Sequence, residues 1–161
     1  MTLNFVGLKP RLYIQELYVP ALNNSTMYNS TTLNASIYID LKFKRVLAVV
    51  PISYGDVNIT LFYNSVGYSA VVPRFDQGGK KTARRRVVVE ASGLPWDGAV
   101  EKVSGGSTVA FKVAAATRYR LEYCDADDHC RHSGRKRLVV EGEVWVDGYG
   151  EKVSKNPIRL R

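Results

Sequence analysis

The chain has 161 residues, of which 45% are hydrophobic and 24% charged, and its formal net charge is +8. These values are typical of one folded domain and exclude a wholly disordered chain. The longest apolar run, 46–52, has seven residues, whereas a membrane-spanning helix needs about 20. Valine occurs 21 times, against 13 leucines and 12 alanines, which favours strands over helices.

Alternation of apolar and polar residues predicts most of the strands. The clearest case is 33–44, where Leu33, Ala35, Ile37, Ile39, Leu41 and Phe43 alternate with polar or aromatic residues. This period of two is typical of a strand with one face in a core and the other in water. The other predicted strands are 11–19, 57–63, 66–72, 82–90, 109–115, 118–123 and 135–147.

One short stretch has helical spacing instead. Trp96, Ala99, Val100 and Val103 recur at i, i+3, i+4 and i+7, after Pro95 and before Gly105-Gly106. We expect loops over 20–32 and 73–81, and a basic tail over 155–161. Seven or eight antiparallel strands with one short helix predict an all-β sandwich.

Five N-x-S/T sequons indicate exposure to the secretory pathway, because a chain with this composition would contain about one by chance. Three fall in the polar loop, and two fall on predicted strands with the asparagine on the wet side. Adjacent asparagines cannot both be expected to carry a glycan. The predicted glycosylation sites are Asn23, Asn24, Asn29, Asn34 and Asn58.

The two cysteines, Cys124 and Cys130, flank a polar segment of five residues between the arms of a predicted hairpin. In an oxidising compartment this pair indicates a disulfide that closes a short loop. The alternative is a metal site built from both cysteines with His129 and His132. Structural zinc sites usually need a second pair of ligands elsewhere in the chain, and none exists here. We therefore expect a disulfide and no metal or other cofactor.

Four stretches together resemble a known plant family, the NDR/harpin-induced-like (NHL) proteins with a late embryogenesis abundant type 2 (LEA-2) domain. The first is 10–23, PRLYIQELYVPALN, and the second is 72–81, VPRFDQGGKK, which resembles the family's P-x-F-x-Q-G-x-K pattern. The third and fourth are Gly93-Leu94-Pro95-Trp96 and Gly150-Glu151-Lys152-Val153. The resemblance covers nearly the whole chain and rests on the order and spacing of these stretches.

The resemblance implies a fibronectin III or immunoglobulin-like sandwich outside the cell, held at the plasma membrane by a helix that precedes it. Residues 1–10 would then be a tail after that helix, and 11–161 the apoplastic ectodomain. It also implies a non-catalytic role in plant immune and stress responses through a protein partner, including secreted pathogen proteins. The alternative is a soluble stress-protective LEA-2 protein.

Basic residues form two clusters that could contact a partner or a polyanion. Because the sequons indicate the outside of the cell, we expect acidic wall polysaccharide or a membrane surface rather than nucleic acid. The alternative is a solvated face whose arginine stems pack on their neighbours. The cluster residues are Lys80, Lys81, Arg84, Arg85 and Arg86 in the first, and Arg135, Lys136 and Arg137 in the second.

Overall fold

The computed structural model describes residues 9–24, 34–45 and 50–161. It is an all-β sandwich of two antiparallel sheets with a helix, as the alternation predicted. Seven long strands provide most of it: β1 (Arg11–Asn23), β2 (Ser36–Lys44), β4 (Val57–Tyr63), β5 (Val66–Val72), β7 (Thr82–Glu90), β8 (Val109–Cys124) and β10 (Lys136–Val146). The short strands are β3 (Ile52–Tyr54), β6 (Phe75–Gly78), β9 (Cys130–His132), β11 (Tyr149–Glu151) and β12 (Ile158–Leu160), and the helix is α1 (Trp96–Ser104).

The first sheet has five strands, in which β1 pairs with β11 and β12 on one edge and with β2 on the other, and β2 pairs with β7. The second sheet has seven strands and is organised around β8. One edge of β8 pairs with β4 and β3, which continue to β5 and β6, and its other edge pairs with β10 and β9. None of the helices in 9–24, 34–45 and 50–161 has the length and apolar character that crossing a membrane requires.

The core lies between the two sheets, and each long strand contributes alternate residues to it. In β2, Ile37, Ile39, Leu41 and Phe43 are fully buried, while the residues between them face outward. Phe111 on β8 of the second sheet belongs to the same core cluster and is fully buried as well. Burial of this apolar surface is the main favourable term in folding.

Two predicted loops contain strands that are too short for a periodicity argument. Strand β6 lies within 73–81, and strand β12 lies within the predicted basic tail. The backbone N–H of Glu141 donates to the Arg161 carbonyl (3.0 Å), and the Arg161 N–H donates back to Glu141 (2.8 Å). The C-terminal segment therefore bridges from the first sheet to β10 and closes one side of the sandwich.

Gly150 occupies a position that no other residue could take without strain. Its φ is +75°, and a Cβ added there would collide with the carbonyl oxygen of Val19. This close approach is where β11 pairs with β1. The glycine is needed for both its backbone conformation and the absence of a side chain.

Gly150→Ala should therefore destabilise the fold by about 2 kcal/mol or more, because both the left-handed backbone and the contact with Val19 oppose a side chain. Urea unfolding of the purified chain measures the difference. The matched control is Gly98→Ala in α1, where an added Cβ meets nothing within 4 Å. The control should be neutral or stabilising by up to about 1 kcal/mol. Equal losses in both variants would contradict this assignment.

Candidate functional site

A groove with a volume of about 760 Å³ opens between β3, β6 and the hairpin formed by β8 and β9. Four arginines line it: Arg74, Arg118, Arg120 and Arg135. Three carboxylates, Asp56, Asp76 and Glu122, and the imidazole of His132 also line it. We call this the arginine groove.

The arginine groove forms because outward-facing residues of three neighbouring strands come into register. Arg120 on β8 lies opposite Ser53 on β3, which in turn lies opposite Asp76 on β6. Arg118 is two residues from Arg120 on the same strand and therefore faces the same side. The N–H of Gly55 donates to the carbonyl of Arg118 (2.7 Å), which fixes the backbone at this point.

The four groove arginines keep their guanidinium groups available. No ion pair within the described parts of the chain includes any of them. The Asp56 carboxylate accepts a hydrogen bond from the backbone N–H of Arg74 (2.9 Å) rather than from a guanidinium group. Guanidinium groups are planar donors that bind carboxylates, sulfates and phosphates through paired hydrogen bonds. The site is thus suited to an anionic group.

Aromatic side chains support the arginine groove from below. The rings of Tyr54 and Phe75 stack at 4.9 Å, and Phe43 and Tyr119 contact Tyr54 at 5.0 and 6.5 Å. The Tyr54 hydroxyl and Gln77 Oε1 form a hydrogen bond of 3.3 Å. Burial, with a smaller contribution from Tyr119, raises the pKa of Tyr54 well above its usual value.

Gln77 connects the groove support to the segment that follows it. Its Nε2 donates to the carbonyls of Lys80 (2.9 Å) and Lys81 (3.0 Å), and the side chain is buried. These hydrogen bonds give Gln77, the glutamine of the 72–81 stretch, a structural role. Lys80 and Lys81 are themselves exposed, and their contact with a partner stays a prediction.

The disulfide between Cys124 and Cys130 is present, and it joins β8 to β9 at the tip of the hairpin. Two residues further along the hairpin, Glu122 lies opposite His132, and both line the arginine groove. The Glu122 carboxylate and both sulfurs lie within 4.8 Å of one another. The disulfide thus fixes one wall of the groove.

Two groups of side chains in the hairpin have the spacing of metal ligands. One contains both cysteines with Glu122, but oxidised cysteines provide no thiolate. The other contains Asp125, Asp127 and His129, all exposed. Asp125 Oδ1 already accepts hydrogen bonds from the backbone N–H groups of Asp127 and His129 (both 2.9 Å). These contacts close the loop, so the cluster is explained without an ion.

The structure separates the first basic cluster. Arg84 and Arg86 face outward from the first sheet, whereas Arg85 faces the other way and lies over the Phe75 ring at 4.2 Å. Arg85 also donates to the carbonyl of Arg84 (2.7 Å). Lys80 and Lys81 precede this strand.

The second predicted basic cluster is also divided between surfaces. Arg135 lines the arginine groove, while Lys136 is half-buried. Arg137 is exposed and lies opposite Arg118 across β8 and β10. Sequence reasoning missed Arg74, Arg118 and Arg120, although the spacing of Arg118 and Arg120 on a predicted strand was a usable signal.

Two predicted glycosylation sites, Asn34 and Asn58, are exposed. Asn34 Oδ1 accepts from the Ser36 N–H (3.0 Å), and this bond uses the oxygen rather than the Nδ2 that a glycan would modify. Asn58 lies on the outer face of β4, opposite Ala116 and Val71. Both positions are open to a glycan.

The other sequons lie in different surroundings. Asn23 Nδ2 donates to the Tyr18 hydroxyl (3.0 Å), and the Asn24 side chain lies against Gly148 and accepts from Ser104 (3.4 Å). Asn29 lies outside the described residues. The geometry therefore favours Asn34 and Asn58, and occupancy at all five positions stays a prediction.

No protein-family model matches the chain, and no curated protein matches it. A solved structure described as a crystal structure of protein from Archaeoglobus fulgidus is similar over 71% of this chain and 88% of its own. The two chains are 13% identical, and the TM-score is 0.37. A likeness at this level carries no information about function.

Stability should fall as the pH rises above about 10, because folding holds Tyr54 in its neutral form. The pKa of Tyr54 is raised on folding, so above about pH 10 the folded chain binds more protons than the unfolded one. The free energy of unfolding in urea, measured from about pH 8 to 11, reports this loss. Tyr54→Phe should show a smaller decline over that range, and a decline as steep as in the wild type would contradict the assignment.

Replacement of both cysteines by serine should loosen the hairpin with little effect on the core. The closed loop is short, so its loss costs about 2 kcal/mol at most in the chain-entropy description. Hydrogen exchange should rise in 122–132 and stay unchanged at Phe111 and Val113, which lie in the core of the same strand. A uniform rise along β8 would mean that the disulfide stabilises the whole sheet.

Proposed function

We propose that the chain is the extracellular, non-catalytic domain of a plant plasma-membrane protein of the NHL type, with a LEA-2 domain. It acts in immune and stress responses by binding a protein partner at the cell surface, including secreted pathogen proteins. The support is the family resemblance together with the arginine groove. The resemblance supplies the compartment and the biological role, and the groove supplies the chemistry of recognition.

The observation that carries the proposal is the exposed disulfide of the hairpin, whose residues Glu122 and His132 line the arginine groove. Both cysteines are exposed, and the bond joins the two strands of a surface hairpin. Disulfides persist in oxidising compartments and are rare in a reducing cytosol. A disulfide in this place holds a binding surface rather than a core, which supports recognition outside the cell.

The positions of Asn34 and Asn58 support the same compartment. Neither lies in the arginine groove, and both face water. Asn34 immediately precedes β2 of the first sheet, whereas Asn58 is opposite Ala116, two residues from Arg118 on the same face of β8, so a glycan on Asn58 would lie beside the groove.

The groove favours an acidic segment of a partner protein. Four guanidinium groups surround an aromatic support formed by Tyr54, Phe75 and Tyr119. Arginine and aromatic residues are enriched at the centres of protein interfaces. A rigid sandwich that presents such a site between a hairpin and neighbouring loops is a common arrangement for recognition.

Analysis of the protein from its natural tissue tests the compartment. Intact mass spectrometry should show N-glycans that an endoglycosidase removes, and no free thiol. Asn34→Gln and Asn58→Gln should each remove one glycan without changing the thiol count. A product with no glycan and both cysteines reduced would contradict the proposal and favour the soluble stress-protective alternative.

A peptide of ten glutamates serves as a probe for the arginine groove. We expect the double variant Arg118→Glu, Arg120→Glu to weaken peptide binding at least tenfold, because two attractive charges become repulsive. The matched control, Lys102→Glu with Lys155→Glu, changes the net charge equally at exposed positions outside the groove. Isothermal titration at two salt concentrations gives the affinities. Equal weakening in both variants would show a non-specific charge effect and contradict the groove assignment.

A further inference from the structure

The outer face of the first sheet brings together cations that are far apart in the sequence. Strand pairing places Tyr13 opposite Arg159 on one side and Lys42 on the other, and Lys42 lies opposite Arg84. Residues directly opposite one another in an antiparallel pair project to the same face. The result is a row that crosses four strands: Arg159, Tyr13, Lys42 and Arg84.

A second row lies beside the first. Lys44 is opposite Arg11 on β1 and opposite Thr82 on β7. Neighbouring strands are about 4.8 Å apart, and same-face residues along one strand are separated by about 6.8 Å. The first row is thus about 14 Å long, and the second runs parallel to it at about 7 Å. We call the two rows the cationic face, formed by Arg11, Lys42, Lys44, Arg84 and Arg159.

This arrangement opposes stability. Lys42 faces Arg84, and Arg11 faces Lys44, so two like-charge pairs lie directly across strands. Such pairs are destabilising. Unfavourable local arrangements that a fold nevertheless keeps are typical of functional sites. The Lys42 ammonium lies 5.5 Å from the centre of the Tyr13 ring, a cation–π contact that offsets part of the repulsion.

Carboxylates lie at one edge of the cationic face rather than within it. Asp40 is opposite Glu16 and Arg86, in a third row that borders the first. Asp40 contacts Arg84 at 3.7 Å, yet the Arg84 side chain is still 60% exposed. In the described residues no other cation of the face forms an ion pair. Its charges are therefore available to an external anion.

We propose that the cationic face binds a linear polyuronate, a polysaccharide with one carboxylate on each sugar. A linear polymer can follow the two rows across the strands and avoid Glu16 and Asp40. A flat anionic bilayer would cover all three rows and bring those carboxylates against its own negative charge. The choice of a polysaccharide over nucleic acid rests on the extracellular location proposed above.

Binding to polygalacturonate tests this inference. The double variant Lys42→Glu, Arg84→Glu should bind at least tenfold more weakly, and the slope of log affinity against log salt should fall by about two, one for each cation removed from the polymer's path. Lys102→Glu with Arg131→Glu is the control, because it changes the net charge equally at exposed positions outside the cationic face. Thermal melting of both variants verifies that the fold is intact.

Three outcomes would overturn the inference. The first is equal weakening in the control, which would show binding through net charge alone. The second is binding to a single-stranded oligonucleotide that is tighter than to polygalacturonate and is abolished in the Lys42, Arg84 variant. The third is binding to phosphatidylglycerol vesicles that is tighter than binding to polygalacturonate and is abolished in the Lys42, Arg84 variant.

This test is independent of the compartment test. A chain that carries no glycan but binds polygalacturonate through the cationic face would retain the binding inference and lose the proposed location. A glycosylated chain that does not bind polygalacturonate would retain the proposed location and lose the binding inference. If the Lys42, Arg84 variant fails to fold, Lys42→Gln with Arg84→Gln removes the same charges and also relieves the cross-strand repulsion; unchanged binding by that variant would overturn the inference.

Discussion

The two-sided pairing of β8 is the constraint on which the second sheet and its groove depend. This strand of 16 residues pairs with β3 and β4 along one edge and with β9 and β10 along the other. Its inner residues, from Val109 to Leu121, enter the core at every second position. Because the period is two, burial of that set determines that Arg118, Arg120 and Glu122 face outward together. The arginine groove is thus a consequence of the same register that forms the core.

The first sheet follows the same logic with a different result. Its inner residues come from β1, β2, β7 and β12, and five of the outer residues form the cationic face. The free energy of core burial outweighs the repulsion of the like-charge pairs. A strand that slipped by one residue to separate them would expose its apolar side chains. Burial of Leu41, Phe43 and their neighbours therefore keeps Lys42 and Arg84 next to each other despite their repulsion.

Sequence reasoning identified features that depend on nearby residues. The alternation in 33–44 predicted β2 and its buried face, and the spacing from Trp96 to Val103 predicted α1. The disulfide was predicted because its two cysteines flank one turn. The short strands β3, β6, β9, β11 and β12 were missed, since three or four residues carry too few alternations to stand out. Gly150 could not be recognised as essential, because its constraint comes from Val19 on a distant strand.

The two proposed binding surfaces were harder to predict, because strand register decides which charges lie next to one another. The run Arg84-Arg85-Arg86 reads as one cluster, yet the strand directs Arg85 away from the other two and onto Phe75. In contrast, Arg11, Lys42, Arg84 and Arg159 are dispersed along the chain and adjacent in the sheet. Clusters read from consecutive residues therefore overestimate the local charge at 84–86 and miss the charge that the sheet gathers at the cationic face.

The two surfaces lie on the outer faces of different sheets, so one ligand need not exclude the other. A chain held on an acidic polymer by the first sheet would keep the arginine groove open toward a second molecule. Attachment to a polymer raises the local concentration of the groove near anything that the same polymer retains. Weak binding at the groove would then be enough for capture, and the affinity of either surface measured alone would understate binding in their joint presence. The two proposed binding surfaces would then act together, because the sandwich holds them on opposite sheets.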